Sequence, residues 1–378
     1  MVRALGMSVL AMGISLAAMG CTAEAGDIDE ADDEINAQSA TFRSEAELRT
    51  TDGKKAVVDA FTQSCQRGTL RATALPYRGG PYTLVYHRCP AKGPKRGTFA
   101  VVPGTTESSI RYAEFAADWT AKGYELFILN NRGEGFNARL LQDDPATAPD
   151  ESQRSHMDAF DDYVSDLDDF VTKVVVPAAP NEKRLMLVCH SMGGGICTRY
   201  AETRPNNPFK GLMLSAPMQG IKIGFFQRGL ANVGGLALSE AWVPGGGPYD
   251  PKEAFQGNVL TGSENRFAMR HYVNQRFPEV QLGSPTYAWV RRAVEATEQI
   301  QRDAAKITKP VLLLSALSDD IVDPKSHETV CNAMNGAKKT TCTRVPLQAE
   351  HEIFIERDEV RTEAFRQMLG FMGKVAPL

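Results

Sequence analysis

The chain has 378 residues, more than a single ordinary domain requires, although α/β enzymes with one core and insertions often reach this length. Hydrophobic residues make up 43% and charged residues 23%, which is typical of a globular protein with a large core. The net charge of −4 reflects a run of acidic residues at 24–34, and the remainder is nearly neutral, which argues against a nucleic-acid-binding protein.

The N-terminal residues are predicted to form an export signal. Within residues 1–20, one arginine precedes an apolar stretch that is short and glycine-interrupted for a membrane span. Small residues before Cys21 favour a bacterial lipoprotein signal, with cleavage before Cys21 and lipid on its sulfur, although Ala18 stands where leucine is usual. The alternative is a plain signal peptide cleaved after Ala25, which would give a secreted or periplasmic protein. Residues 21–42 are expected to be an acidic disordered tether.

The globular part is predicted to span residues 43–378. Residues 70–89 favour two strands that meet at Gly79-Gly80-Pro81 as an antiparallel hairpin at a sheet edge. Apolar runs then alternate with helical patterns. The expected strands are GTFAVV, YELFILN, RLMLVC, GLMLSAP, PVLLLSA and TCTRVPL. Strands rich in Val, Leu and Ile, separated by amphipathic helices, predict a mostly parallel, doubly wound α/β sheet covered on both faces.

Residues 218–306 interrupt this alternation between two predicted strands. They contain scattered large apolar residues, many glycines and helical pieces, but no convincing strand. An insertion at this point late in the sheet is interpreted as a helical cap over the sheet edge.

The motif Cys189-His190-Ser191-Met192-Gly193 has a predicted strand before it and a helix after it, the context of a nucleophile elbow. The tight bend brings together the residues two before and two after the serine, so both should be small. Gly193 meets this requirement, whereas Cys189 departs from it. The alternative is a glycine-rich strand–helix turn whose serine only caps the helix.

A nucleophilic serine needs a base, which in this architecture follows the last strand. Of six histidines, His351 alone has that position, and His327 is expected on a solvated helix surface. The remaining four either precede the serine, adjoin it or lie in the insertion: His87, His156, His190 and His271.

The orienting acid is expected in SDDIVD, after the strand PVLLL. Asp323 precedes Pro324, which favours a role as a helix N-cap. The pattern alone does not separate Asp319 from Asp320. For a tetrahedral oxyanion, the expected donors are the backbone N–H groups of Met192, at the helix start, and of Thr105, in the loop after GTFAVV.

Export makes disulfides plausible. The candidate pairs are Cys331 with Cys342 and Cys65 with Cys89. Cys189 and Cys197 are instead expected to be small buried thiols.

Over about residues 97–372 the chain resembles the α/β-hydrolase superfamily, specifically the bacterial lysophospholipase and monoacylglycerol lipase branch of the serine aminopeptidase-like hydrolases. The resemblance is carried by VVPGTTESSIRYAEFAADWTAKGYELFILNNRGEGFNAR, HSMGGG, SAPMQGI, LGSPTYAWV and HEIFIERDEVR. It implies Asp319 as the catalytic acid beside Ser191 and His351, with Thr105 and Met192 as oxyanion donors. Asn130, Asn131 and Phe136 depart from the usual turn of the family, as Cys189 departs from its elbow.

The resemblance implies a serine hydrolase that cleaves carboxylic esters of single-chain glycerolipids, such as lysophospholipids or monoacylglycerols, through an acyl-enzyme. The alternatives are an esterase or peptidase of the same fold acting on non-lipid substrates, or a non-catalytic surface lipoprotein. No metal-ligand spacing or nucleotide loop is present, so no cofactor is implied, and no nucleic acid or obligate protein partner is inferred. Five arginines of the insertion are either phosphate-headgroup contacts or solvated surface charges: Arg228, Arg266, Arg270, Arg291 and Arg292.

Overall fold

A computed structural model describes residues 42–74, 81–143, 150–222 and 238–378. The predicted signal peptide, Cys21 and the tether up to residue 41 lie outside these ranges. None of the helices formed by the described residues is both long enough and apolar enough to cross a bilayer.

Eight strands form one sheet in the order β1-β2-β4-β3-β5-β6-β7-β8. They are β1 Gln66–Arg71, β2 Thr83–Cys89, β3 Gly97–Val102, β4 Tyr124–Leu129, β5 Leu185–His190, β6 Gly211–Ser215, β7 Val311–Ala316 and β8 Cys342–Leu347. Strand β2 is antiparallel to both neighbours, and every other pair is parallel. The predicted mostly parallel sheet is therefore confirmed. The two hairpin strands pair as expected, while Gly79 and Gly80 of the turn lie outside the described residues.

The described residues form eight principal helices. They are α1 Thr51–Ser64, α2 Ala113–Ala121, α3 Phe160–Phe170, α4 Ser191–Thr203, α5 Glu264–Arg276, α6 Tyr287–Asp303, α7 Pro324–Ala337 and α8 Asp358–Val375. Helix α3 continues through a π-helical turn, Val171–Val175, into the short segment Val176–Ala178. Single 3₁₀ turns occur at Glu45–Leu48, Ser109–Tyr112, Glu151–Gln153, Pro278–Val280, Ala304–Lys306 and Ile353–Ile355.

The five central strands, β3 to β7, are buried at every residue. Because successive side chains of a strand point to opposite faces, this burial requires helices on both faces of the sheet. Helices α3, α4, α6 and α7 pack in one group, and α1 packs against α2 in another. Phe115 and Trp119 of α2 contact Phe365 of α8, which extends the second group.

The chain order reverses at β3, because β4 pairs with one side of β3 and β5 with the other. In a doubly wound sheet, the carboxyl ends of the strands at such a reversal border a crevice where ligands bind. The loops after β3, β5, β7 and β8 all reach this edge. They carry, in order, Thr105, Ser191, Asp319 and His351.

The structure describes the insertion between β6 and β7 up to residue 222 and again from residue 238, and these parts contain helices α5 and α6 and isolated bridges but no strand. Helix α6 buries Trp289, Ala293 and Ile300 and packs against α3, α4 and α7, so it belongs to the helical layer of the core. Helix α5 is joined to the core by Arg266, whose side chain reaches α2 and the start of α8.

Candidate active site

Ser191 occupies the bend between β5 and α4. Its φ of 52° lies in the left-handed region, which a residue with a Cβ adopts only where the surroundings impose it. The carbonyl oxygen of Ser191 accepts a hydrogen bond from the N–H of Met218, at 2.8 Å, in the loop after β6. The bend therefore directs the serine side chain toward the carboxyl edge of the sheet, as a nucleophile elbow requires.

Three glycines follow at the start of α4 because other chain segments approach it closely. A Cβ on Gly193 would overlap the carbonyl oxygens of Val102 and Pro103, and one on Gly194 would overlap Pro217. Glycine within a helix costs about 1 kcal/mol relative to alanine, so three of them weaken this helix start by about 3 kcal/mol. Close packing at the elbow is therefore achieved with an intrinsically weak helical turn.

Ser191, His351 and Asp319 form a continuous hydrogen-bonded chain. The Oγ of Ser191 lies 2.7 Å from Nε2 of His351, and Nδ1 of His351 lies 2.7 Å from Oδ2 of Asp319. The other carboxylate oxygen, Oδ1, accepts the backbone N–H groups of Ile321 and Val322 at 2.8 and 3.0 Å. These two bonds orient the carboxylate, which in turn orients the imidazole.

Charge and burial act on this chain in opposite directions. Burial favours neutral His351, but the charge of Asp319 and its hydrogen bond outweigh burial, so the pKa of His351 lies above its ordinary value of 6.5. Burial also opposes ionisation of Asp319, yet His351 and the two backbone N–H groups hold the pKa of Asp319 below its ordinary value. Asp319 therefore stays ionised at neutral pH and stabilises a charge on His351.

The three aspartates after β7 lie in different surroundings. Asp319 is fully buried, whereas the side chain of Asp320 is 64% exposed and pairs with Lys222 at the surface. Asp323 caps α7, accepting the N–H of Lys325 at 3.0 Å, as the sequence predicted. The structure thus separates Asp319 from Asp320, which the sequence pattern alone had left open.

The loop after β3 packs directly against the serine, since a Cβ on Gly104 would lie 3.0 Å from the Cβ of Ser191. The N–H of Gly104 donates to Oε2 of Glu107 at 2.6 Å. The side-chain amide of Asn131 donates to the carbonyl oxygen of Pro103 at 2.8 Å. This loop, which carries Thr105, is therefore fixed from both sides beside the start of α4, where the N–H of Met192 lies.

The side chain of Thr105 is held by a buried carboxyl group. Its Oγ1 lies 2.8 Å from Oε1 of Glu134 and 3.2 Å from Oγ of Ser155. Burial raises the pKa of Glu134 to about 8, although hydrogen bonds from Thr105 and from the backbone of Thr106 oppose the shift. Glu134 is consequently mostly protonated at neutral pH, so its side chain adds little negative charge beneath the loop.

A second set of buried ionisable groups adjoins His351. The ring of His190 lies 5.0 Å from that of His351, and its Nδ1 contacts the carbonyl oxygen of Ser215 at 3.1 Å. Burial lowers the pKa of His190, so this imidazole is neutral. The neighbouring Glu352 accepts a hydrogen bond from Arg111 at 2.6 Å. The charge of Glu352 is thus compensated next to the imidazole of His351.

The turn residues that depart from the family pattern have structural partners. Asn130 accepts the N–H of Ser109 at 2.9 Å through its side-chain oxygen, and Asn131 supports the loop that carries Thr105. Phe136 packs against the rings of His87 and Phe277. Sequence reasoning noted Asn131 only as a departure and missed Glu107, Glu134 and Ser155. An isolated glutamate or serine gives no signal, because its role depends on a long-range contact.

Two further expectations were wrong. Cys189 and Cys197 form a disulfide rather than two thiols, because the sheet-facing side of α4 brings Cys197 to the end of β5. His327 is fully buried rather than solvated, because it lies on the side of α7 that faces β7. It contacts Oγ of Ser315 at 2.9 Å and the carbonyl oxygen of Pro217 at 2.8 Å. The structure also joins the two expected pairs, Cys65–Cys89 and Cys331–Cys342.

The arginines of the insertion have several environments. Arg266 is buried and donates hydrogen bonds to Glu114 and Asp358. It therefore fits neither expectation, a contact with a phosphate headgroup or a solvated surface charge. Arg270 lies 2.9 Å from Glu253, and Arg292 lies 2.8 Å from Glu295. Arg291 is partly buried, and Arg228 lies outside the described residues.

A mostly parallel eight-stranded sheet, with a serine at a strand–helix bend and an aspartate and a histidine after the last two strands, is the arrangement of an α/β-hydrolase. The family described as "serine aminopeptidase, S33" matches residues 93–358. The chain belongs to this family of serine hydrolases.

Curated relatives agree with this membership. Lysophospholipase L2 of Escherichia coli K12 is 33% identical over 284 residues, which cover 72% of this chain and 79% of that protein. The probable lysophospholipase L2 of Haemophilus influenzae is 28% identical, covering 74% and 84% respectively. Family and relatives together place the chain among the serine ester hydrolases.

Solved structures show the same fold. A soluble variant of monoglyceride lipase from Saccharomyces cerevisiae, crystallised with a substrate analogue, has a TM-score of 0.59 at 20% identity. That match covers 78% of this chain and 92% of the yeast chain. A thermostable carboxyl esterase from Bacillus coagulans has a TM-score of 0.59 at 17% identity, covering 83% and 99%.

Proposed function

We propose that the protein hydrolyses carboxylic esters of single-chain glycerolipids, with Ser191 as nucleophile, His351 as general base and Asp319 as the orienting acid. The observation that carries this proposal is the hydrogen-bonded chain from Ser191 Oγ through His351 to Asp319, with both distances at 2.7 Å. Such a chain activates a hydroxyl that is otherwise a weak nucleophile.

In the first half-reaction, His351 Nε2 takes the proton of Ser191 as Oγ attacks the ester carbonyl carbon. The tetrahedral intermediate collapses when the imidazolium returns the proton to the leaving glyceryl oxygen, and the acyl group stays on Ser191. In the second half-reaction, His351 takes a proton from water, which attacks the acyl-enzyme. Collapse then releases the fatty acid and restores the serine hydroxyl. Asp319 stays ionised throughout and stabilises the charge on His351.

The negative charge that develops on the carbonyl oxygen requires preorganised donors. The backbone N–H groups of Met192 and Thr105 are assigned this role, since one begins α4 and the other lies in the loop packed against Ser191. The partial positive charge at the start of α4 acts in the same direction. Protonation of Glu134 removes one negative charge from beside the loop that carries Thr105.

The lipid substrate is supported by the curated relatives, two of which are named lysophospholipase L2 and probable lysophospholipase L2. It is supported also by the name of the yeast monoglyceride lipase, which is 26% identical over 74% of this chain. An insertion between β6 and β7, next to the serine, suits the burial of an acyl chain.

A substrate panel tests this proposal. Purified wild type and Ser191→Ala would be compared on a long-chain lysophospholipid, a long-chain monoacylglycerol, a short p-nitrophenyl ester and an aminoacyl amide. We expect wild type to prefer the long-chain esters and Ser191→Ala to lose all turnover while folding normally. Ser318→Ala, an exposed serine at the same sheet edge, serves as the matched control and should retain activity. Turnover that survives in Ser191→Ala would contradict the assigned nucleophile.

A second candidate function keeps the same catalytic groups with a different substrate. It is favoured by the family description, serine aminopeptidase, and by the structural likeness to a carboxyl esterase. Equal or better turnover of the aminoacyl amide or the short ester than of the long-chain lipids would replace the lipid proposal with this one.

We also propose that the protein is exported and anchored to a membrane through lipid on Cys21. Support comes from the apolar stretch at 4–20 and the small residues before Cys21. The mass of the mature N-terminus tests this: acylated Cys21 is expected, and Cys21→Ser should release the enzyme to the soluble fraction. An unmodified N-terminus after Ala25 would contradict anchoring.

A further inference from the structure

The Cys189–Cys197 disulfide encloses the candidate nucleophile. The two cysteines lie eight positions apart, and the segment between them contains Ser191, Met192 and the three glycines. Both sulfurs are buried, with the residues 1% and 0% exposed. The cross-link therefore joins the second-last residue of β5 to the second turn of α4.

The two ends of this cross-link differ in how firmly the rest of the fold holds them. Cys189 lies in the middle of the sheet, opposite Val102 of β3 and Leu214 of β6 in the strand register. Cys197 lies in α4, after the glycine-rich start. A bond from this central strand to α4 therefore restricts the movement of the glycine-rich start of the helix relative to the sheet.

The same bond explains how a cysteine is tolerated two residues before the serine. A side chain at that position must not press on the residue two after the serine, and Gly193 is already packed against the end of β3. Bonding to Cys197 directs the sulfur of Cys189 along the helix and fixes its rotamer. The departure at Cys189 and the unexpected disulfide are thus one feature.

We propose that Cys189 and Cys197 are positioning residues, whose disulfide holds the start of α4 so that Ser191 Oγ and the Met192 N–H keep their reactive places. This inference rests on the proposed role of Ser191. Neither cysteine contacts substrate in this account, and the disulfide itself undergoes no change during turnover. It acts on geometry alone, and small displacements of reacting groups cost large factors in rate.

The chain provides a matched control in the Cys331–Cys342 disulfide. This bond also joins a helix, α7, to a strand, β8, and its cysteines are eleven positions apart. Cys342 begins β8, whereas His351 follows the end of that strand, so the bond lies at the opposite sheet edge. Its loss removes a cross-link of similar size without touching the elbow.

The experiment compares Cys189→Ala/Cys197→Ala with Cys331→Ala/Cys342→Ala, using a soluble p-nitrophenyl ester well below both thermal midpoints. We expect kcat of the first variant to fall about ten- to a hundred-fold with KM changed less than about twofold. The rate of Ser191 labelling by a fluorophosphonate should fall by the same factor. Amide hydrogen exchange at 192–197 should accelerate. The control should keep kcat within about twofold of wild type.

The single variants distinguish the effect of losing the disulfide from the effect of a smaller side chain at position 189. Because the bond needs both sulfurs, Cys189→Ala and Cys197→Ala should each lose as much kcat as the double variant, a fully non-additive cycle. Full activity in Cys189→Ala, where alanine restores a small residue, would overturn the proposal. So would equal kcat in the two double variants.

If the elbow variant does not fold, folded Cys331→Ala/Cys342→Ala enzyme would be treated with a water-soluble phosphine, which becomes its oxide as the sulfurs become thiols. Mass spectrometry after alkylation identifies the bonds that were cleaved. Loss of kcat that follows cleavage of Cys189–Cys197 supports the proposal, and full activity after that cleavage overturns it. Turnover by Ser191→Ala would instead refute the proposed nucleophile, so the two failures are distinguishable.

Discussion

Two clusters of mostly buried polar side chains in this protein both contain paired ionisable groups but differ in what their polar atoms face. The candidate catalytic cluster consists of Ser191, His351 and Asp319. The Arg266 cluster consists of Arg266, Glu114, Asp118, Asp358 and Arg361. In the first, the chain of hydrogen bonds ends in a serine hydroxyl at the sheet edge. In the second, ion pairs connect an inserted helix to the core.

In the Arg266 cluster, each of the three guanidinium nitrogens of Arg266 donates a hydrogen bond to a protein group. The guanidinium donates to both carboxylate oxygens of Glu114, at 3.0 Å and 3.1 Å, and to the backbone carbonyls of Glu356 and Arg43. Asp358 accepts a further bond at 2.8 Å. These contacts join α5 to α2 and α8, and Arg266 is only 1% exposed, which favours a structural role over contact with a ligand headgroup.

The comparison shows that burial of a charge does not by itself indicate a functional site. Burial raises the cost of every unpaired polar atom, and this cost is offset by hydrogen bonds in the first cluster and by hydrogen bonds and ion pairs in the second. They differ in that the candidate catalytic cluster ends on the hydroxyl of Ser191, a residue whose backbone is held in the left-handed conformation. Substitutions should therefore affect turnover in one cluster and the free energy of unfolding in the other.

The largest effect is expected from Asp319→Asn compared with Asp320→Asn. Loss of the carboxylate removes the group that fixes the imidazole tautomer and stabilises its charge, so kcat should fall by about 10⁴. Asp320 is exposed and lies away from His351, so Asp320→Asn should keep kcat within about twofold. Steady-state kinetics on a soluble ester measures both. Comparable losses in the two variants would contradict the assignment of the acid.

Arg266→Met should destabilise the fold rather than impair the chemistry. It leaves the buried carboxylate of Glu114 without its main partner, which typically costs about 3–5 kcal/mol in the free energy of unfolding. Arg292→Met, which breaks a partly exposed pair with Glu295, should cost less than about 1 kcal/mol. Urea unfolding compares them. A selective loss of kcat in Arg266→Met at unchanged stability would show that the two clusters are not distinct in role.

Thr105→Val tests the support of the loop beside Ser191. Valine keeps the shape of threonine but removes the hydrogen bond to Glu134, so the loop should hold its N–H less accurately and kcat should fall about tenfold. Glu134→Gln imitates the protonated carboxyl group, and near pH 7 it should keep kcat within about threefold. A loss in Glu134→Gln that exceeds the loss in Thr105→Val would show that a charged Glu134 is required.

The smallest expected effect is a displacement of the pH profile. His351 must be neutral to accept the proton of Ser191, so kcat/KM should rise with pH through the pKa of His351. That pKa lies above 6.5 because Asp319 favours the charged imidazole. In Asp319→Asn the largest effect that raises the pKa of His351 is lost, while burial still lowers it and Glu352 and Glu107 still raise it, so the acid limb of the residual activity should move to lower pH. A limb that stays in place would contradict the electrostatic coupling.

The fold and most of the candidate catalytic cluster could be predicted because both follow from the order of strands and helices along the sequence. Apolar strands alternating with helices specify the sheet, and the position of His351 after the last strand singles it out. Helix α1 was not predicted, although Thr50 caps it and Val57, Val58 and Phe61 are buried. The helix begins with polar residues and a glycine, and its apolar face is short, so its helical periodicity is weak in the sequence.

What could not be predicted depends on contacts between distant segments. Asp319 and Asp320 are adjacent, and the carboxylate of Asp319 is the one that meets His351 and the backbone N–H groups of Ile321 and Val322. The Cys189–Cys197 bond depends on how α4 packs on β5. Arg266 finds Glu114 across a sequence separation of 152 residues. None of these contacts leaves a periodic signal in the sequence.

Mass spectrometric mapping of the covalent intermediate identifies the nucleophile. Enzyme mixed with an activated long-chain ester and quenched in acid should carry the acyl group on the peptide that contains Ser191, with no adduct in Ser191→Ala. An acyl group found on another residue, or ester hydrolysis that continues in Ser191→Ala without any adduct, would contradict the account.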